Sequence, residues 1–192
     1  MNSVIGNHQE GRTHPHKFTM WVAIASICMM FAGLTSAYVV KKSQDNVIRV
    51  LLPNVFWWST AVIILSSVTI HLAVKSIKAR EMQRYRLLLG ITAFLGVVFA
   101  IMQYKGFGIM GLSGVKFIGK NSNPGASFLM VIIGLHALHV LGGVIALLVM
   151  YIKIFVGKVK SYNSVPIEVV ATYWHFVDIL WLYLLLFLIY MR

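Results

Sequence analysis

Five apolar stretches divide the chain, at about 18–40, 55–74, 87–104, 127–152 and 169–190, and polar or basic segments separate them. A helix rises ~1.5 Å per residue, so ~17–25 apolar residues cross the ~30 Å hydrocarbon layer of a bilayer. Each stretch meets that length. The pattern predicts an all-α integral membrane protein, a bundle of five transmembrane helices. A flexible polar amino-terminal tail over 1–17 leads into one five-helix domain over 18–192.

Proline and aromatic positions agree with these limits. Pro15 suits a chain entering a helix, and Pro53 precedes the second stretch. Pro166 and Glu168 read as the start of the fifth, where an acidic residue suits the helix dipole. Trp21 and Tyr38 lie near the ends of the first stretch, and Trp57 and Trp58 open the second, at the levels where membrane aromatics collect.

The segments between are less regular. Lys41 to Asn54 reads as a polar loop. The basic run 75–86, KSIKAREMQRYR, reads as a short solvated turn. Residues 105–126 are rich in glycine and read as a flap on the membrane surface, with Asn121 to Gly125 as a turn. GFGIMGLSGVKF does not fit a phosphate-cradling loop, since no strand precedes it and no Gly-Lys-Ser/Thr follows.

Composition narrows the class. The chain has 192 residues, 59% of them hydrophobic and 11% charged, more apolar surface than a soluble domain of this size can bury. The net charge of +12 would suggest nucleic acid in a soluble protein. Here the basic residues flank apolar segments, which points to anionic headgroups and topology signals, with no nucleic-acid partner. The tail, the 75–86 turn and the 153–168 loop carry ten Lys and Arg, against seven on the other side. That excess predicts a cytoplasmic amino terminus and an outside carboxyl terminus. The first apolar run begins at Phe18 and is too long for a signal-peptide core, so no signal peptide is expected. The single cysteine, Cys28, cannot form an intrachain disulfide and reads as a small helix-packing residue.

The candidate chemistry lies inside the helices. Asp178 sits at the middle of the fifth stretch, with His175 three residues earlier on the same face. A carboxylate there costs ~3 kcal/mol on insertion scales, so it must face protein and find a partner. A structural residue satisfied by an adjacent helix and a direct proton-handling group both fit that requirement. In the fourth stretch, His136, His139 and Gly143 fall on one face, and the same levels imply contact between the polar residues of the fourth and fifth helices. The two histidines suit interhelical hydrogen bonds; as metal ligands their spacing is loose and no carboxylate lies nearby. Ser26, Met30, Gly33 and Ala37 form a small-residue stripe in the first helix, of the kind that lets helices approach. Ser59, Ser66, Ser67 and Thr69 place hydroxyls within the second. His71 falls in that helix's last turn and reads as an interface residue. His8, His14 and His16 read as part of the solvated tail.

Three stretches resemble subunit III of the haem–copper oxidase superfamily. The last is the most specific: Glu168 leading into Tyr173-Trp174-His175-Phe176-Val177-Asp178, then Trp181. His136-Ala137-Leu138-His139-Val140 with Gly143 is similar to the family's histidine–glycine–leucine–histidine–valine run. Trp21, Ser26, Phe31, Ala32, Gly33 and Tyr38 frame the first helix as the family does, and Ser66-Ser67 fits the second. The chain looks like the five-helix bacterial type.

The resemblance implies an accessory, cofactor-free subunit of a proton-pumping terminal oxidase that reduces oxygen to water. It implies a cleft that holds phospholipid, support for stability and proton uptake, and a bacterial cell membrane as location. Subunits I and II would be the partners, and haem and copper would reside in them. No catalytic, cofactor-binding or metal-ligating residue is expected in this chain. His136, His139, Glu168, Trp174, His175, Asp178 and Trp181 are the structural or lipid-contact candidates. Two departures matter. The family's glutamate after the serine matched by Ser26 is here Ile27, and its glutamate three residues after the glutamine matched by Gln103 is here Gly106. Both turn the reading towards a structural, lipid-holding subunit.

Other readings remain open at this stage. The electron donor is cytochrome c, towards which Tyr173 leans, or a quinol. A small membrane cytochrome would bind its own haem through His136, His139 or His175. A transporter coupled through Asp178 lacks a supporting inverted repeat or broken-helix pair.

Overall fold

The computed structural model describes residues 15–42, 54–112, 124–156 and 164–190. These form α1 (Pro15–Lys42), α2 (Val55–Lys78), α3 (Met82–Leu112), α4 (Pro124–Val156) and α5 (Val165–Tyr190). All five contain a span long and apolar enough to cross a membrane. Several expectations lie outside the described residues: the tail with His8 and His14, the loop carrying Asp45 and Arg49, the flap beyond Leu112 with its turn residues before Pro124, and Lys158, Lys160 and Arg192.

The helices run past the apolar limits at most ends. The run 75–86 is not a solvated loop: α2 continues to Lys78 and α3 begins at Met82, leaving only Ala79–Glu81 between them. Lysine, arginine and glutamine are good helix formers, and their long stems reach headgroups from a helix end. The turn is closed by Glu81 N–H donating to Ser76 O at 3.0 Å and Arg80 N–H to Ile77 O at 3.1 Å. Arg80 takes the left-handed conformation (φ 60°) that such a helix end needs. Residues 105–112 are helical as well, although the sequence reads as a flap. In lipid the backbone must bond to itself, and glycine is tolerated in membrane helices.

α5 is the centre of the bundle. It packs against α1, α2 and α4, while α3 closes the far side between α2 and α4. Its buried positions, Trp174, Val177, Asp178, Trp181, Leu184, Leu185 and Leu188, follow the helical repeat. Among the described helices α1 packs on α4 and α5, through a face of Ile24, Phe31, Thr35 and Tyr38. The small-residue stripe of α1 is not that face. Ser26, Gly33 and Ala37 are exposed, Met30 is half-buried against the core, and no atom of the described residues lies within 4 Å of a Cβ built on Gly33. Cys28 is exposed too. Large aromatic side chains fill the α1–α4/α5 contact, so the small residues are left on the outside.

Because α1 does not reach α2, a cleft opens between them over α5. At its end Lys17 of α1 and Lys78 of α2 both pair with Glu168 of α5, at 2.6 and 2.9 Å. The start of α1, the end of α2 and the start of α5 therefore lie at one end of the bundle.

Candidate functional site

Two tryptophans seven residues apart on α5 face hydroxyls six residues apart on α2. Trp174 Nε1 donates to Ser66 Oγ at 3.0 Å, and Trp181 Nε1 to Thr60 Oγ1 at 3.0 Å. Six and seven residues are each close to two helical turns, so both pairs lie along one seam between antiparallel helices. His175 Nδ1 and Ser67 Oγ share a third bond of 2.6 Å. Beside the seam, Gln103 Nε2 of α3 donates to Ser59 Oγ at 3.1 Å, and Thr69 and Thr92 join α2 to α3 at 2.8 Å. In an apolar slab each such bond also spares the cost of an unmatched buried polar group, ~1–3 kcal/mol.

Trp174 is fully buried, and its ring is gripped from two helices. A Cβ built on Gly96 of α3 would stand 2.8 Å from Trp174 Cη2, and one on Gly143 of α4 2.9 Å from Cε3. Glycine at both places lets the indole lie against two helix backbones at once. Trp181 sits lower in the same core, with ring centroids 5.7 Å from Phe56, 5.6 Å from Phe99 and 5.5 Å from His136. Phe56 in turn packs on Gly106, where a Cβ would be 2.8 Å from its ring. A side chain as large as the family's glutamate would meet Phe56 at that position.

The sequence candidates do not all converge. Trp174, His175 and Trp181 turn to α2. His136 is buried and stacks on Trp181 at 25°. His139 points to α1, with its ring 5.8 Å from Phe31 and its Nδ1 bonded to Leu135 O at 2.6 Å. Tyr173 reaches α4 differently, donating its hydroxyl to His139 O at 3.0 Å. Asp178 is buried, yet neither carboxyl oxygen has a hydrogen-bond partner among the described residues, and it does not bond to His136 or His139. Ser67 is near enough to affect the carboxyl, and its hydroxyl also shares the bond with His175. The expected nearness of α4 and α5 polar groups is met by Tyr173 on His139 O and by His136 on Trp181, but Asp178 bonds to neither histidine, and most side-chain hydrogen bonds of α5 run instead to α2, where the serines and threonine supply small, reachable partners.

Glu168 does more than begin a helix. It accepts from Lys17 at 2.6 Å and from Ser164 Oγ at 3.1 Å, and pairs with Lys78 at 2.9 Å. The cleft it closes has a volume of about 380 Å³, and Lys17, Trp21, His71, Lys78, Glu168 and His175 line it. His71 is not in the last turn of α2. It lies seven residues before the helix end, ~10 Å along the axis, with its ring 6.4 Å from His175. No group of three or more His, Cys, Asp or Glu that would hold a metal ion occurs among the described residues. His136, His139 and His175 face three different helices.

Gly96, Thr60 and Thr92 were not singled out in the sequence. Thr60 was signalled only weakly, by lying six residues before Ser66, close to the two turns that separate Trp174 and Trp181. Gly96 carries no local signal, because only the opposed indole makes its missing side chain necessary.

The family described as cytochrome c oxidase subunit III matches residues 1–192. The chain is 26% identical over 190 residues to cytochrome bo(3) ubiquinol oxidase subunit 3 of Pseudomonas aeruginosa, covering 91% of this chain and 88% of that one. It is 26% identical over 168 residues to cytochrome c oxidase subunit 3 of Bacillus sp. (strain PS3), covering 85% and 80%. A probable cytochrome c oxidase subunit 3 of Nocardia farcinica is 29% identical over 169 residues, covering 83% and 79%.

Proposed function

The chain belongs to the cytochrome c oxidase subunit III family, and on that premise we propose that it is the lipid-holding structural subunit of a bacterial terminal oxidase. Its partners are subunits I and II of the complex, and the haem and copper chemistry resides there. The oxidase as a whole reduces oxygen to water and translocates protons. This chain holds phospholipid at the cleft and supports the stability and proton uptake of the catalytic subunit. The assembly sits in the cell membrane, with the amino terminus of this chain in the cytoplasm.

The observation that carries the reading is the seam on α5. Trp174, His175 and Trp181 are each engaged by a hydroxyl of α2, so their polar atoms join helices. Asp178 and the histidines of α4 belong to the same polar interior and act through packing. The cleft supports the lipid assignment. It has an apolar wall of Met20, Trp21, Val74 and Ala171 and a charged rim of Lys17, Lys78 and Glu168. Each basic side chain beside anionic headgroups contributes ~1 kcal/mol. The rim is cationic by one charge, with Lys17 and Lys78 against Glu168.

Purification of the native complex tests this. Subunits I and II should co-purify, and native mass spectrometry should retain phospholipid on this chain. Delipidation that leaves both stability and turnover unchanged would remove the lipid-holding role. The relative from Pseudomonas aeruginosa supports a second reading, in which the electron donor is a quinol. A dinuclear copper centre in the co-purified subunit II assigns cytochrome c, and its absence from that subunit assigns the quinol.

A further inference from the structure

A second cavity, of about 200 Å³, lies between α3 and α4 on the side of the bundle away from the α1–α2 cleft. Gln103, His136, Phe107, Ala137 and Val140 are among its walls, and the highly exposed Tyr104 stands at its mouth. Gln103 lies six residues before Ile109, where the apolar span of α3 ends, and His136 nine residues after Ser127, where that of α4 begins. At 1.5 Å per residue the polar groups sit roughly 9–14 Å inside the apolar layer. The cavity is therefore reached sideways from the acyl-chain region.

Two buried polar groups in its wall have no hydrogen-bond partner among the described residues. These are Gln103 Oε1 and both ring nitrogens of His136, on side chains 5% and 2% exposed. Their orientations are set from behind. Ser59 spends its hydroxyl proton on Phe56 O at 2.9 Å, so it can only accept from Gln103, which must turn its NH₂ to Ser59 and its oxygen away. The imidazole is held flat against Trp181, 5.5 Å between centroids. The cavity thus offers a fixed carbonyl acceptor and an imidazole that donates from one nitrogen and accepts at the other. A single hydroxyl matches both: its proton goes to Gln103 Oε1, and its oxygen accepts from the His136 N–H.

The remaining wall is apolar and partly aromatic. Water alone is a poor match. About 200 Å³ would take roughly six molecules at ~30 Å³ each, and a buried water wants ~3 hydrogen bonds that this wall does not supply. A cavity of ~150 Å³ is enough for one benzene ring. Phe107 and Tyr104 also suit edge-on or offset contact with a ring. We propose that the α3–α4 cavity binds a small hydroxylated ring of the phenol class, taken up from the lipid phase, with its hydroxyl on Gln103 and His136.

The test uses the assembled oxidase in detergent and a diazirine-bearing phenol as a photoreactive probe, with adducts located by mass spectrometry. Labelling should map to 100–107 of α3 and 136–141 of α4. p-Cresol should compete for it about tenfold better than toluene, which has the same ring and methyl group but no hydroxyl. Ala137→Leu, which fills the cavity and removes no hydrogen bond, should abolish the labelling while the complex stays assembled. Gln103→Leu should erase the preference for p-cresol. Equal competition by toluene would overturn hydroxyl recognition, and labelling outside these two segments or unaffected by Ala137→Leu would overturn the site itself.

Discussion

Gly96→Ala tests how tightly the core is built around Trp174. The added methyl would lie 2.8 Å from Trp174 Cη2, 3.1 Å from Cζ2 and 3.3 Å from Val144 Cγ2. The indole has little room to retreat. Gly143 backs it on another side, where a Cβ would be 2.9 Å away, and its Nε1 is tied to Ser66 at 3.0 Å. Overpacking of this kind costs ~1–3 kcal/mol, while alanine for glycine inside a helix returns ~1 kcal/mol. The expected net result is a loss of roughly 1 kcal/mol. Gly33→Ala is the control, because nothing stands within 4 Å of its Cβ and only the helix gain remains. The two changes should shift stability in opposite directions in thermal unfolding of the purified chain in detergent, followed by circular dichroism. Trp174→Phe removes the atoms that clash and also the bond to Ser66, at a cost of ~1–3 kcal/mol. On that background Gly96→Ala should be neutral or stabilising. If Gly96→Ala behaved like Gly33→Ala in the wild-type background, the tight contact would be refuted.

Asp178→Asn keeps shape and polarity, so an assembled oxidase carrying it should pump protons normally; lost pumping in an intact complex would give Asp178 a direct proton role. Asp178→Leu should leave subunit retention unchanged or improved, since neither carboxyl oxygen has a hydrogen bond to a described residue to abandon; release of the subunit on purification would contradict this. Glu168→Gln should weaken the junction of α1, α2 and α5 by no more than ~1 kcal/mol, because Lys17 and Lys78 are 42% and 58% exposed and solvent screens both pairs. High salt should shrink the difference between Glu168→Gln and wild type, and a salt-independent difference would point to packing. The isolated chain should show no haem absorbance, and a stoichiometric Soret band would overturn the cofactor-free reading.

The five helices were legible in the sequence because crossing a bilayer imposes a length and an apolar composition that no neighbour needs to supply. The family could be read for a similar reason: Tyr173 to Asp178 and His136 to Val140 are local strings. Helix ends were less legible. Charged stretches such as 75–86 and glycine-rich stretches such as 105–112 look like loops by composition, yet a helix at the membrane edge still gains from bonding its own backbone.

What only the tertiary structure decided is which residues meet. Sequence spacing put His175 and Asp178 on one face, but not which helix that face would oppose. The packing of α5 on α2 sends His175 to Ser67 and leaves Asp178 without a bond, and it gives Gly96 and Gly143 a reason to be glycine. It also turns the small-residue stripe of α1 outward, because Phe31 and Tyr38 bury more apolar surface against α4 and α5 than Gly33 and Ala37 could. Along one chain, period and composition determine what can be buried. The partner of each buried group depends on helix order and rotation, and those are set by the best joint packing of all five helices.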